Sequence, residues 1–268
     1  MKLADKTLVI TGGGGGIGRQ LVLQALERGA RVAAVDLRMA AMEETAALAK
    51  AGDRLSLHEC NITDREAVHA LPAAVIAAHG AVDGVVNNAG IIQPFTNVVA
   101  LDYATIERVI DVNLWGTIHM VKAFLPELMK RPVAHLVNVS SMGGFLPFPG
   151  QTVYGASKAA VKLLTEGLYT ELLGSQVAVS VVMPGAVATD ITGNSGVGGH
   201  SPEQAEDSAL KPLPAPDAAR IIWDGVEADK LHILVGKDAK ALNLASRLAP
   251  GPAARFITKQ MEKMLPKE

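Results

Sequence analysis

The chain is poor in the residues on which several whole classes of protein depend. A single cysteine, Cys60, stands among 268 residues, which excludes an intrachain disulfide. It closes an apolar stretch and reads as a buried thiol. Aromatics make up 4% of the chain, and 27 acidic residues nearly balance 25 basic ones, for a formal net charge of −2. That balance leaves no basic footprint for a nucleic acid. No apolar run approaches the ~20 residues of a bilayer-crossing helix. Met1-Lys2-Leu3 pass directly into an apolar strand pattern, leaving no secretion signal to be read, so a cytoplasmic location is expected. The seven histidines, including His58, His69, His79 and His119, have no close pair in the sequence and no cysteine partner, so no metal site is expected.

Apolar residues are abundant, at 49% of the chain, enough for a large core. Strand patterns at Thr7–Ile10, Arg31–Val35, Arg54–His58, Asp83–Val86, His135–Val139, Val177–Val182 and His232–Val235 alternate with helical stretches. Repeated βαβ units force right-handed crossovers and a parallel sheet covered on both faces. The expected fold class is therefore α/β, a Rossmann-type doubly wound parallel seven-stranded sheet with helices on both faces. Its ligand would lie at the carboxyl ends of the strands. Residues 1–236 would form one domain, with a lid at about 190–216, and 237–268 a C-terminal amphipathic extension. The stretch Met39–Ala51 reads as a helix, not as low complexity.

Two stretches carry the chemistry. After the first strand the chain reads T-G-G-G-G-G-I-G from Thr11 to Gly18 and runs on into a helical pattern. A strand, a glycine turn and a helix N-terminus make a cradle for a pyrophosphate, whose charge meets backbone N–H groups and the helix dipole. Five consecutive glycines fit G-x-G-x-x-G in many registers, so the context carries more weight than the pattern. The second strand ends at Asp36, where a carboxylate would accept hydrogen bonds from both adenosine-ribose hydroxyls and repel a 2′-phosphate. NAD is expected over NADP, with Arg38 as the counter-signal. Farther on, V-Y-G-A-S-K puts Tyr154 and Lys158 four residues apart, on one face of a helix. A free tyrosine has a pKa near ~10 and is a poor base at neutral pH unless a neighbouring cation such as Lys158 stabilises the phenolate.

With these motifs the chain resembles the short-chain dehydrogenase/reductase family in its single-domain form, from Lys6 to about Val235. Thr11, Gly12, Gly16 and Gly18 match the T-G-x-x-x-G-x-G motif, Asn87-Asn88-Ala89-Gly90 the N-N-A-G motif. Asn113 falls where the family has its active-site asparagine, and Ser141, Tyr154 and Lys158 complete the catalytic set. Pro184-Gly185, Val187 and Thr189 match the segment that contacts the nicotinamide carboxamide. The resemblance implies cofactor contacts also from Ile17, Leu37, Asn61 and Ile62, and from Tyr154 and Lys158 themselves. Asn61 departs from the family's usual aspartate. Its oxygen can accept from the adenine amine only with the amide in one orientation.

The roles that follow are those of an oxidoreductase acting on an alcohol or ketone. Phenolate Tyr154 would take the substrate's hydroxyl proton as hydride leaves the carbinol carbon, with reduction as the reverse. Ser141 would hold the substrate oxygen. The resemblance implies that Lys158 grips the nicotinamide ribose and that Asn113 holds a water leading to solvent. Gln93, Phe95, Phe145, Phe148 and Gln151 are expected to border an apolar substrate pocket, which suits a hydrophobic secondary alcohol or ketone. Gly193, Gly196, Gly198 and Gly199 suit a closing flap. In the extension, Leu242, Leu244, Leu248, Phe256, Ile257, Met261, Met264 and Leu265 are interspersed with basic residues, giving two short helices. Packing on the domain or a neighbouring subunit is favoured over contact with a membrane surface. The family resemblance implies a homo-oligomer, a homotetramer or dimer, joined through the helices bearing Asn113 and Tyr154, with Val161, Leu164 and Leu168 available for the contact or for the core. An NAD-binding regulatory or scaffold protein with little turnover stands as the alternative.

Overall fold

The computed structural model describes residues 1–197 and 212–261. Among them, seven parallel strands form one sheet: β1 (Thr7–Thr11), β2 (Arg31–Asp36), β3 (Leu55–Glu59), β4 (Gly84–Asn87), β5 (Ala134–Val139), β6 (Val177–Pro184) and β9 (His232–Val235). Their order is β3-β2-β1-β4-β5-β6-β9, a doubly wound arrangement of the expected class. Strands β7 (Val187–Ala188) and β8 (Leu213–Pro214) form a separate short parallel pair.

The strand sequences are nearly all apolar because both faces of the sheet are covered. All five residues of β1 and all six of β5 are buried. Helices α1 (Gly16–Glu27), α2 (Met39–Ala49) and α8 (Ala215–Glu227) cover one face, packing Leu21, Val22, Met42, Ile222 and Trp223 against Leu8, Ile10 and Val32. Helices α3 (Arg65–His79), α5 (Gly116–Leu128) and α6 (Thr152–Glu171) cover the other, packing Val68, Val75, Met120, Phe124 and Leu168 against Val9, Val85 and Leu136. Leu168 belongs to this interior, Leu164 packs against it and Val161 is fully buried, so those positions of α6 are not open for a subunit contact. Its exposed apolar residues are Leu163 and Tyr169, which lie on a different face of the helix.

The chain winds from β1 outward to β3, then returns to lay β4 on the opposite side of β1. At that reversal the loops after β1 and β4 diverge, and a cleft opens at the strands' carboxyl ends. The helical rod beyond β4 has an irregular centre. Between α4 (Tyr103–Ile110) and α5, residues Asp111–Trp115 form a π-helical segment with Asn113 at its middle. Such one-turn bulges inside α-helices occur frequently at functional sites.

The extension forms α9 (Lys237–Leu248) and α10 (Pro250–Met261). Pro250-Gly251-Pro252 starts the second helix instead of breaking the chain, since a proline in a first turn gives up only an N–H that has no intrahelical partner. Leu242, Ala253 and Ile257 face inward onto Met142 and Leu146, while Leu244, Leu248 and Phe256 are exposed. Met264 and Leu265 lie outside the described residues. No helix among the described residues is long and apolar enough to cross a membrane.

Trp223 ties α8 to α1, the helix whose N-terminus faces the cleft. Its ring is fully buried, and its Nε1 donates to the Leu21 carbonyl at 3.2 Å. Replacing it with alanine leaves a cavity and removes that donor, so Trp223→Ala is expected to lose about 3–5 kcal/mol in urea unfolding. A loss below 1 kcal/mol would contradict this packing.

Candidate active site

Four elements converge at the end of β5. Ser140 and Ser141 follow the strand directly, and the Ser140 hydroxyl donates to the Lys158 carbonyl at 2.6 Å, fastening α6 to the strand end. Ser141 Oγ accepts the Gly143 N–H at 3.0 Å and hydrogen-bonds the Tyr154 hydroxyl. Lys158 is buried one turn beyond Tyr154, with its Nζ donating to the Val139 carbonyl at 3.0 Å. A methyl group added at Gly90 would lie 2.9 Å from Lys158 Nζ and 3.1 Å from Asn113 Oδ1, so the N-N-A-G turn, Asn113 and Lys158 meet at one point.

The electrostatics differ from simple activation of a phenol by an ammonium. Burial pushes the Tyr154 pKa up, and the hydrogen bond from Ser141 opposes that rise. Burial also draws Lys158 down from 10.5 to about 8. In the protein alone, desolvation outweighs the help that Ser141 gives to the phenolate.

Asn113 is held by three side-chain hydrogen bonds. Its Oδ1 accepts the Ile91 N–H at 2.9 Å, and its Nδ2 donates to the Ile91 carbonyl at 2.9 Å and to Ser157 Oγ at 3.0 Å. Both amide protons are thus occupied, and the side chain is fully buried. It locks the loop after N-N-A-G to α6.

The dinucleotide cradle fits its expected ligand. Gly12 has φ +71, and a methyl group there would lie 2.8 Å from Asn88 Nδ2. Gly18 is a packing glycine: its added methyl would fall 1.9 Å from the Gly12 carbonyl oxygen. Gly16 and Ile17, by contrast, line the cleft at the α1 N-terminus, whose first turn holds no acidic residue to compete with a phosphate. Thr11 Oγ1 accepts from the Asn88 and Ala89 N–H groups, both at 3.0 Å, and pins the N-N-A-G turn beside the glycines. Asn87 lies beneath, donating to Asn138 Oδ1 at 2.8 Å, so it steadies the sheet without reaching the cleft.

At the adenosine end, Asp36 and Leu37 line the cleft with Asn61 and Ile62. Asp36 Oδ2 accepts the Gly14 N–H at 3.0 Å and Oδ1 the Arg38 N–H at 3.1 Å. The Arg38 guanidinium turns to Asn194 Oδ1 at 2.7 Å, and Arg19 is held by the Gly14 carbonyl and Glu44, each at 2.7 Å. Asn61 Oδ1 accepts both the N–H and the hydroxyl of Thr63, at 3.1 and 2.9 Å. The oxygen expected to meet the adenine amine is therefore occupied, and Asn61 presents its NH₂ group as a donor instead.

The cleft has a volume of about 570 Å³. It joins Asp36 at one end to Ser141, Tyr154 and Lys158 at the other, passing Ala89, Gly90, Pro184, Gly185, Val187 and Thr189. The match to short chain dehydrogenases spans residues 6–197, which include every one of these positions. The chain belongs to the short chain dehydrogenase family. The Mycobacterium tuberculosis protein SadH, named as a candidate oxidoreductase, is 37% identical over 97% of each chain. A 1-deoxy-11-beta-hydroxypentalenate dehydrogenase of Streptomyces avermitilis is 33% identical over 90% of this chain and 88% of its own. A short chain dehydrogenase/reductase from Burkholderia phymatum in complex with NAD superposes with a TM-score of 0.82, at 25% identity over 100% of this chain and 98% of that one. Another from Burkholderia cenocepacia, in complex with NADP, gives 0.79 at 25% identity over 96% and 99%.

The substrate end of this short chain dehydrogenase is only partly the one expected. Phe95, Phe148 and Gln151 line the cleft, whereas Phe145 does not and packs against the cluster around Leu146 and Ile257. Gln93 is fully buried and bonded to backbone on all sides, which removes it from the pocket wall. Met261, from α10, adds an apolar wall, and Asp238 of α9 accepts the Ala186 N–H at 2.8 Å, so the extension borders the cleft and the segment after Pro184.

The segment expected to form a lid begins with α7 (Ile191–Asn194). Ser195 Oγ accepts the Ile92 N–H at 2.9 Å, and Arg108 donates to the Ser195 carbonyl, holding this segment over the cleft. Gly198 and Gly199 lie outside the described residues. Nothing in the sequence pattern distinguishes Asn194, Ser195 or Met261 as bordering the site. His58 and His79 also meet unexpectedly, each within 2.8 Å of Ser56 Oγ. Among the described residues no three His, Cys, Asp or Glu side chains are grouped to hold a metal.

Because the unfolded chain binds the Lys158 proton more tightly than the folded one, stability rises with pH between about 8 and 10.5. Below that range the buried charge costs roughly 3 kcal/mol. Lys158→Met loses the bond to Val139 yet is expected to gain roughly 1–2 kcal/mol at pH 7 in urea unfolding, with a flatter pH profile. A variant less stable than the parent would contradict a strained ammonium.

Proposed function

We propose that the chain is an NAD-dependent oxidoreductase interconverting a hydrophobic secondary alcohol and its ketone. The observation that carries this reading is that Ser141, Tyr154 and Lys158 line one cleft, with Lys158 buried one turn beyond Tyr154, and that this cleft is continuous with the glycine turn. When bound, the nicotinamide supplies the carbon that accepts or donates hydride. Tyr154 removes the hydroxyl proton in oxidation and returns it in reduction. Ser141 orients the substrate oxygen and stabilises the phenolate, and Lys158 directs its remaining N–H groups towards the nicotinamide ribose. The apolar wall of Phe95, Phe148 and Met261 supports a lipophilic substrate, and the relative named for dehydrogenating a hydroxypentalenate supports an alcohol as the reacting group.

NAD preference rests on Asp36, since Arg19 and Arg38, the nearby cations, are both engaged elsewhere. We place the protein in the cytoplasm as a homotetramer, with Trp115, Leu163 and Tyr169 supplying exposed apolar surface along the helical segments that carry Asn113 and Tyr154. In this reading residues 237–268 complete the substrate site.

Cofactor reduction, measured across a panel of lipophilic secondary alcohols, tests the assignment. Tyr154→Phe is expected to lose at least about a hundredfold in kcat. Because the Ser141 hydrogen bond lowers the tyrosine pKa, Ser141→Ala is expected to move the rising alkaline limb of the oxidation profile to higher pH. Turnover equal in Tyr154→Phe and the parent would leave a dinucleotide-binding regulatory protein as the better reading. For the cofactor, Asp36→Ala is expected to improve kcat/KM with NADP by about tenfold and to worsen it with NAD. An unchanged ratio would overturn the preference.

A further inference from the structure

Three consecutive residues after the N-N-A-G turn each hold a different part of the site. Ile91 is gripped by Asn113 through both its N–H and its carbonyl, and Ile92 donates to Ser195 of the lid. Gln93, the third, reaches the helix that bears Tyr154. Its Oε1 accepts the N–H of Val153 at 2.9 Å and of Tyr154 at 3.0 Å, the second and third residues of α6. Its Nε2 donates to the Gly150 carbonyl at 3.0 Å, and its own carbonyl accepts Gln151 Nε2 at 2.7 Å.

These bonds do the work of an N-cap. The first N–H groups of a helix have no partner within it, and a short polar side chain at the N-cap usually accepts from one of them. Here the N-cap position is Gln151, whose side chain makes no such bond. Gln93 accepts two of the orphan N–H groups from about 60 residues away in the chain. The orientation of its amide is fixed, because the two backbone N–H groups can only donate and the Gly150 carbonyl can only accept. One of the two N–H groups belongs to Tyr154 itself, so the clamp acts on the backbone of the acid/base residue.

We infer that Gln93 is a positioning residue for Tyr154, fixing the start of α6 so that the phenol hydroxyl stays within hydrogen-bonding reach of Ser141. The inference rests on the reading of Tyr154 as the acid/base. A displacement of about 1 Å at a reacting group costs on the order of a hundredfold in rate. Loss of the clamp would also weaken the one hydrogen bond that lowers the Tyr154 pKa.

The test uses the whole chain and reads the tyrosine directly. Phenolate absorbance is titrated in the parent, Gln93→Leu, Ser141→Ala and the double variant, each as a difference against Tyr154→Phe in the same background. Gln93→Leu is expected to raise the Tyr154 midpoint by about 0.5–1 pH unit, as Ser141→Ala does, and the double variant to move it no farther than the larger single shift. Alcohol oxidation with the panel described above should show kcat reduced about 10- to 100-fold while NAD affinity, read by nicotinamide fluorescence, changes less than twofold. Gln93→Glu, which keeps both acceptor bonds, should recover part of kcat. If Gln93→Leu does not fold, Gln151→Met, which removes only the bond to the Gln93 carbonyl, should show the same upward shift in smaller measure. Lower thermal stability with an unmoved phenolate midpoint and unchanged kcat would overturn the inference and leave the oxidoreductase reading intact. Full activity in Tyr154→Phe would instead overturn the reading beneath it.

Discussion

Lys158 keeps an ammonium beneath the floor of the cleft, where burial draws its pKa to about 8 and the Val139 carbonyl holds one of its protons. Most of the surrounding polar structure can be understood as the arrangement that makes this buried charge tolerable. The Ser140 hydroxyl fixes the Lys158 backbone, and Gly90 leaves room for the ammonium where any side chain would collide with it. A charge taken from water is retained only where the surrounding structure over-determines its position. Its cost in folding is consistent with a site whose residues were selected for something other than stability.

Fixing that position falls to amide side chains bonded to backbone across large sequence separations. Asn113, in the π-helical segment, closes both polar groups of Ile91 and reaches Ser157. Asn87 bonds Asn138, whose Nδ2 continues to Thr165 Oγ1 at 3.0 Å, joining β4, β5 and α6 beneath the cleft. Gln93 caps α6 from the loop after β4. Each network satisfies buried groups that would otherwise be costly, and each connects a strand end to the helix carrying Tyr154 and Lys158. The geometry of the Tyr154–Lys158 pair is thus distributed among residues that never reach the cleft.

The fold was legible because its signals are local and repeated. Alternating apolar strands and helical stretches gave the seven strands and their parallel arrangement, with boundaries differing by at most two residues, as at β6, which runs on to Pro184. The glycine turn, Asp36, the N-N-A-G run and the Tyr154–Lys158 spacing are short motifs whose physical demands are met within a few residues. Side-chain direction was less legible. Gln93 and Phe145 lie in the segments that border the pocket, yet one turns into the protein to cap a helix and the other packs under α10. Val161 and Leu168 show the same ambiguity, since apolar residues on a helix suit a core or a subunit contact equally well until the other faces are known.

By itself the sequence determined which elements form, their parallel order and which residue types stand at the strand ends, because periodicity and glycine placement act through the local backbone. Only the tertiary structure decided which polar groups meet. That Arg38 reaches Asn194, that Gln93 caps α6, and that Met261 lines the cleft all depend on contacts between segments far apart in the chain. Such contacts carry no periodic signal, since a hydrogen bond is settled by the position of its partner and not by the neighbours of its donor along the sequence.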